Sequence, residues 1–335
     1  MTTLNNNQEL QKIIKNAVDP DFVIELDNPY SSVSVRSFWV MLKSKAEVVE
    51  GKLFLQRDLS KLVIFEPGFP GGGSTQFEQL WLQKVLQNGY SVFLARHGGT
   101  IINGEFSNGY LNCRERQELS KSKGFDVLGN KQNSTIADWL NEPLVALETL
   151  VPNFSEIVLC GHSFGPLALI YSLEKYIKKE PELAKKIIRV VSLSGSIGKI
   201  RSYDNSILKV WFDHLNTGWA RERVQIGDAK ENTDVFGDAH TTINNEASNI
   251  PKDIDFIAVS PYGDTEKSTD EIVQQMESID FINSLGRGYF IIDKKEWGDK
   301  KTGRMAHDME ALSADMLLKL VSKDWLPQNQ ITTIE

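Results

Sequence analysis

The stretch Glu156–Leu173, EIVLCGHSFGPLALIYSL, decides the fold. Its opening run, Ile157, Val158, Leu159 and Cys160, is short, apolar and partly β-branched, as a strand covered on both faces is. The run breaks at Gly161-His162-Ser163-Phe164-Gly165 and resumes with helical spacing at Leu167, Ile170, Tyr171 and Leu173. Strand, sharp turn with a central serine, then helix is the layout of a nucleophile elbow. Glycine on either side of Ser163 lets strand and helix pass close together while the serine takes a strained conformation that exposes its hydroxyl. Pro166 suits the first turn of the helix, where its missing N–H leaves nothing unpaired.

Upstream, Phe22–Leu26, Ser32–Leu42 and Val48–Gln56 read as strands, the second with the partial alternation of an antiparallel region. Lys61–Phe65 is a continuous apolar run that ends in the glycine-rich loop Glu66–Gly73. That loop lacks the Gly-Lys-Ser/Thr ending of a phosphate cradle and the spacing of a dinucleotide fingerprint. A helix with Phe77, Leu80, Trp81, Val85 and Leu86 follows, then a strand Tyr90–Ala95 ending in Arg96-His97. Thr100–Ser134 is polar and turn-rich, and Ile136–Val151 is helical. Downstream come a strand Ile187–Leu193, a strand Ile254–Val259, a helical region Ile272–Leu285, a last strand Tyr289–Ile292 and a closing amphipathic helix carrying Met309, Leu312, Met316, Leu317, Leu320 and Val321. Strands alternating with helices imply an α/β domain with a doubly wound, mostly parallel sheet, and a strand-rich opening implies an antiparallel start. In such sheets the chemistry belongs at the carboxyl ends of the strands.

The strict alternation stops between Ile197 and Pro251. We therefore read a lead-in over residues 1–20, a core over 21–196 and 252–335, and an insertion over 197–251. Helix-like pieces with Trp211, Phe212 and Trp219 open the insertion, and its polar second half, Asp228–Ser248, reads as a flap.

Bulk properties exclude several classes. The formal charge of −8 over 335 residues, with no Lys/Arg stripe interleaved with aromatics, argues against nucleic acid as a partner. Cys113 and Cys160 are the only cysteines, one in a polar loop and one in a strand, so both read as reduced thiols of a cytoplasmic protein. No basic-then-apolar leader opens the sequence and no run reaches membrane-spanning length. Cysteine and histidine spacings suited to a metal are missing, so no metal or cofactor is expected.

A serine hydroxyl needs a base, and the base needs an acid that holds its tautomer. Of the five histidines, His162 is poorly placed to reach back to Ser163, His97 ends an early strand, and His214 and His240 lie in the insertion. His307 follows the last strand by a loop, the position a base requires. For the acid, Asp264 sits in a turn just past the end of Ile254–Val259, with Glu266 and Asp255 as competitors. The order Ser163, Asp264, His307 resembles the α/β-hydrolase family, whose nucleophile, acid and histidine follow one another in that order beyond different strands. The likeness spans about residues 30–325. It implies two backbone donors for a developing oxyanion. One is the N–H of Phe164, directly after the nucleophile. The other, matched to the family's His-Gly-x-Pro-Gly loop, is that of Phe69 in Pro67-Gly68-Phe69-Pro70-Gly71, where Pro67 departs from the family's histidine. It also implies that 197–251 is a cap, in which Trp211, Phe212 and Trp219 line an apolar pocket or form the cap's own core; His97 and His162 are further pocket candidates. The activity so implied is hydrolysis of a carboxylic ester or related acyl compound through an acyl-enzyme, on a small and partly apolar acyl substrate. Peptidase, amidase or thioesterase chemistry on the same residues, and a non-catalytic ligand-binding homologue, are the alternatives. Oligomeric state is left open.

Overall fold

The computed structural model describes residues 24–26, 30, 32–44, 48–68, 77–97, 135–198, 229–261, 270, 273, 275–293, 307, 309 and 312–334. Ten strands form one sheet: β1 (Ile24–Leu26), β2 (Arg36–Lys43), β3 (Val48–Leu55), β4 (Lys61–Glu66), β5 (Ser91–Arg96), β6 (Glu156–His162), β7 (Ile187–Leu193), β8 (Asp255–Pro261), β9 (Tyr289–Asp293) and β10 (Ile331–Ile334). Their spatial order is β1-β2-β3-β5-β4-β6-β7-β8-β9-β10. The pairs from β1 to β5 through β3 are antiparallel and every pair from β5 to β10 is parallel, so the antiparallel opening and parallel remainder expected from the patterning are both present.

Seven α-helices are described: α1 (Gln83–Gln87, preceded by a π-turn over Glu78–Leu82), α2 (Ile136–Leu150), α3 (Gly165–Lys179), α4 (Pro181–Ala184), α5 (Ala229–Glu246), α6 (Gln275–Leu285) and α7 (Ala314–Val321). The parallel strands are apolar on both faces because both are covered. One apolar layer joins Leu62, Ile64 and Leu159 of the sheet to Trp139, Leu167, Ile170, Ile243 and Phe281 on α2, α3, α5 and α6. The other joins Val63, Phe65, Val158 and Cys160 to Phe77, Trp81, Leu317 and Leu320 on the π-turn and α7. Fully burying a side chain of this size contributes about 1.5–3 kcal/mol, so these two layers are the main source of stability. Polar ties fasten the second layer: the Trp81 indole N–H donates to the Leu312 carbonyl at 2.8 Å. The buried Arg189 guanidinium donates to the Leu320 and Ser322 carbonyls at the end of α7.

Several boundaries differ from expectation. The expected strand Ser32–Leu42 begins only at Arg36, because Val33 N–H turns back to the Tyr30 carbonyl at 3.0 Å. The closing helix starts at Ala314 rather than Met309: Ser313 caps it, accepting from Met316 N–H at 3.2 Å, and Met309 has φ +57°. β10, four residues rich in β-branched side chains, extends the sheet beyond the expected last strand. The flap expected over Asp228–Ser248 is instead the 18-residue helix α5 and a turn of 3-10 helix, Ala247–Asn249. Phe236, Ala239, Ile243 and Ala247 form its buried stripe at helical spacing and join the first apolar layer. Threonines, asparagines and Gly237, all weak helix formers, hide that stripe in the sequence.

Candidate active site

The register of the central strands brings the candidate residues together. Glu66 pairs with Gly161 and His162 with Leu193, so β4, β6 and β7 end level with one another. Ser163 then turns out of β6 with φ +57°, a left-handed conformation costly for a residue with a Cβ. The surroundings hold it there. Ser163 N–H donates to the Leu193 carbonyl and its own carbonyl accepts from Ser196 N–H, both at 3.0 Å. The flanking glycines are required by close approach: a Cβ on Gly161 would lie 2.7 Å from Pro166 N, and one on Gly165 would lie 2.2 Å from the Glu66 carbonyl oxygen. Strand and helix could not cross this tightly with any larger residue.

His307 Nε2 lies 2.8 Å from Ser163 Oγ, and both residues are buried. His307 Nδ1 lies 3.0 and 3.1 Å from the two carboxylate oxygens of Asp270. A carboxylate only accepts, so Nδ1 carries the hydrogen and the Nε2 lone pair faces the serine hydroxyl. The Asp270 carboxylate is fixed in turn by Val273 N–H, which donates to Oδ1 at 2.8 Å.

Asp264 and Glu266 lie outside the described residues, and the carboxylate that meets His307 belongs to Asp270, six positions further along. Asp255, the other competitor, sits at the amino end of β8 and pairs with Arg189 at 2.9 Å, at the wrong end of the sheet. A signal for Asp270 existed. It stands three residues before Val273, where an aspartate satisfies an unpaired N–H at the head of a helical region. Turn propensity drew the choice to Asp264 instead.

The remaining candidates divide. Phe164, the residue after the nucleophile, opens α3 as its N-cap with φ −66° and ψ −31°. N–H groups at a helix head and the helix dipole together favour negative charge there. Its ring is buried, edge-on to Trp139 at 6.1 Å and stacked near Phe236 of α5 at 6.2 Å. Phe69, Trp211, Phe212, Trp219 and His214 lie outside the described residues. His162 Nε2–H donates to the His307 carbonyl at 2.6 Å. Burial, with a smaller effect from His307, lowers the His162 pKa to about 4, so its ring is neutral near pH 7.

His97 is fully buried. Its ring stacks on Trp139 with centroids 4.4 Å apart and planes 8° apart. Nε2 lies 3.1 Å from the Pro67 carbonyl oxygen, and Nδ1 lies 2.9 Å from Glu142 Oε2. Glu66 Oε1 is 3.2 Å from Nδ1, off the line of a hydrogen bond. Burial, reinforced by the Glu142 charge, pushes the Glu66 carboxyl well above the usual range. The donor atoms of Glu66, His97 and Glu142 all lie within 4.8 Å of one another. At 2.9 Å the separation of His97 Nδ1 from Glu142 Oε2 is that of a hydrogen bond.

A second buried cluster lies behind the elbow. Ser196 Oγ donates to Glu277 Oε2 at 3.1 Å and is 3.4 Å from His240 Nε2. His240 Nδ1 lies 3.0 Å from the Gly198 carbonyl oxygen. These bonds tie α5 and α6 to the loop after β7. Nothing in the sequence grouped these residues, since the three come from separate elements. Among the described residues no helix is long and apolar enough to cross a membrane.

No family model and no curated protein sequence matches the chain. Solved structures do. A protein from Agrobacterium vitis S4 assigned as a hydrolase matches at TM-score 0.53 and 11% identity, over 86% of this chain and 99% of that one. Carboxyl esterase 2 of the fungus Tuber melanosporum matches at TM-score 0.50 and 14% identity, over 94% of this chain and 95% of that one. At such identities the likeness is one of fold, and the fold is that of the α/β-hydrolases.

Proposed function

We propose that this chain of α/β-hydrolase fold is a serine hydrolase that cleaves a carboxylic ester or related acyl compound through an acyl-enzyme. Ser163 Oγ attacks the acyl carbon while His307 Nε2 takes its proton. The imidazolium so formed is stabilised by the Asp270 carboxylate on Nδ1, then returns the proton to the leaving oxygen. The charge on the tetrahedral intermediate is taken up by the N–H of Phe164 at the head of α3, with Phe69 as the second donor that the family resemblance implies. Water, activated by the same histidine, releases the acyl group from Ser163.

The observation that carries this reading is the continuous chain Asp270–His307–Ser163, with 3.0 Å and 2.8 Å contacts at the ends of three different strands' loops. A buried polar chain of this kind does little for folding that apolar residues would not do better. The left-handed strain at Ser163 points the same way, since strain of this kind concentrates where chemistry is done. The apolar rings of Phe164, next to the nucleophile in the chain, and Phe236, stacked near it at 6.2 Å, favour an acyl group with some hydrocarbon character.

The test is turnover of p-nitrophenyl esters of graded chain length, beside a p-nitroanilide, by the wild-type protein and by Ser163→Ala. Ester turnover that the substitution removes supports the reading. Cleavage of the anilide at comparable kcat/KM moves the activity to the amidases. Ester turnover that survives Ser163→Ala overturns the assignment of the nucleophile.

A further inference from the structure

The loop that follows β4 reaches the nucleophile at Gly68. A Cβ on Gly68 would lie 2.6 Å from Ser163 Cβ and 3.2 Å from Ser163 Oγ, so the backbone here is pressed against the serine itself. A loop this close must be held to a fraction of an ångström if its backbone is to serve the reaction. Pro67 has no N–H, and its only polar backbone atom is the carbonyl oxygen. That oxygen meets His97 Nε2 at 3.1 Å.

We propose that His97 is a positioning residue of the reaction: its Nε2–H holds the Pro67 carbonyl, and through it the backbone that faces Ser163. The inference rests on the serine-hydrolase reading and adds to it the group that sets the loop.

Three observations make the ring fit this task. A carbonyl only accepts, so the hydrogen must be on Nε2, and that requirement fixes the tautomer. The other nitrogen is supplied with acidic partners, Glu142 Oε2 at 2.9 Å and Glu66 Oε1 at 3.2 Å. The contact of Nδ1 with Glu142 holds the ring on its far side and so aims Nε2 at the loop. Finally the ring plane is clamped: Trp139 stacks on one face at 4.4 Å, and the Phe164 ring meets it edge-on at 5.6 Å. The same cluster therefore touches both sides of the reacting serine. Phe164 follows Ser163 in the chain, and Pro67 precedes the glycine that packs on it. Glu66, whose carboxylate completes the cluster, is itself the residue before Pro67, so the strand end and the loop are anchored at adjacent positions. This arrangement also accounts for proline at position 67: the anchor comes from outside the loop rather than from a loop side chain.

The experiment compares wild type, His97→Ala, His97→Gln and Glu142→Gln by ester kinetics and by amide hydrogen exchange of the peptide spanning Gly68. Glutamine at 97 can still offer an N–H to the Pro67 carbonyl. Expected are a fall in kcat of about 30-fold or more for His97→Ala with KM changed less than threefold, recovery of at least a third of that loss in logarithmic terms by His97→Gln, and an intermediate value for Glu142→Gln. Exchange at Gly68 should rise at least tenfold in His97→Ala while that of β6 and β7 stays at the wild-type level. If His97→Ala fails to fold, His97→Gln and Glu142→Gln carry the comparison. Wild-type kcat together with unchanged exchange at Gly68 overturns the proposal and leaves the hydrolase reading standing. An inert wild type whose Gly68 exchange still depends on His97 sinks the hydrolase reading and keeps the anchor. Equal losses in kcat and 1/KM, with no rescue by glutamine, reduce His97 to a packing residue and also overturn the proposal.

Discussion

Replacing Asp270 by asparagine removes one negative charge from a site where His307 must become an imidazolium. The two carboxylate oxygens lie 3.0 and 3.1 Å from His307 Nδ1. Two unit charges about 3 Å apart at an effective dielectric near 20 attract by roughly 5.5 kcal/mol, which bounds the loss at about four powers of ten in kcat. The lower bound follows from the second partner of the carboxylate. Val273 N–H donates to Oδ1 at 2.8 Å, so the asparagine oxygen has reason to stay at the Oδ1 position and to keep accepting from Nδ1–H. The tautomer then survives and only the charge is lost, for a fall of about a hundredfold. We expect Asp270→Asn to lower kcat on p-nitrophenyl acetate by 10²–10⁴ with little change in KM or melting temperature. Asp264→Asn should stay within about threefold of wild type, because His307 takes its acidic partner from Asp270. An Asp270→Asn enzyme within threefold of wild type, or a hundredfold loss in Asp264→Asn, refutes the assignment of the acid.

Other perturbations follow from the same geometry. Burial lowers the His240 pKa from its ordinary 6.5 to about 4, so between those pH values the unfolded chain binds a proton that the folded one refuses. Its contribution is intact above pH 6.5 and is lost as the pH falls toward 4, by up to about 3 kcal/mol. Urea unfolding at pH 7 and at pH 4.5 should show a gentler acid loss in His240→Gln than in wild type, and equal slopes contradict the reading. Gly165→Ala drives a methyl group to 2.2 Å from the Glu66 carbonyl oxygen, a backbone atom that cannot swing aside. It should destabilise by about 3 kcal/mol or prevent folding, and a variant with wild-type melting behaviour refutes the close-crossing argument. Phe236→Ala opens a cavity beside Phe164 and should cost about 3 kcal/mol in chemical unfolding. Its preferred ester should lengthen by one or more carbons in the p-nitrophenyl series, while an unchanged chain-length profile removes Phe236 from acyl recognition.

Legibility of the sequence followed the strength of its local signals. The covered strands of the parallel region announced themselves because burial on both faces leaves only apolar residues, as in Leu62–Phe65 and Ile157–Cys160. The elbow was readable because glycines flank its serine between an apolar run and a helical pattern, and Gly161 answers a steric demand made within ten residues, by Gly165 and Pro166. His307 was found by elimination along the chain. Asp270 was missed because the choice between nearby acids depends on which one the loop turns inward, and that is decided by the Val273 N–H contact rather than by spacing. Helix α5 was read as a flap because its apolar stripe is diluted by weak helix formers, and tertiary packing overrides their propensity. The cluster of Glu66, His97 and Glu142 was invisible for a different reason. Each comes from a separate element: the parallel register of β4 and β5 sets Glu66 and His97 at neighbouring strand ends, and α2 brings Glu142 to them.

The central claim is that Ser163 is a nucleophile activated by His307. Intact-mass and peptide mass spectrometry after incubation of the folded protein with a fluorophosphonate measures it most directly. The account predicts a single phosphonyl adduct on Ser163 in wild type, slowed at least a hundredfold in His307→Ala and Asp270→Asn variants that melt at the wild-type temperature. A folded wild-type protein that stays unlabelled, or an adduct on any other residue, contradicts it.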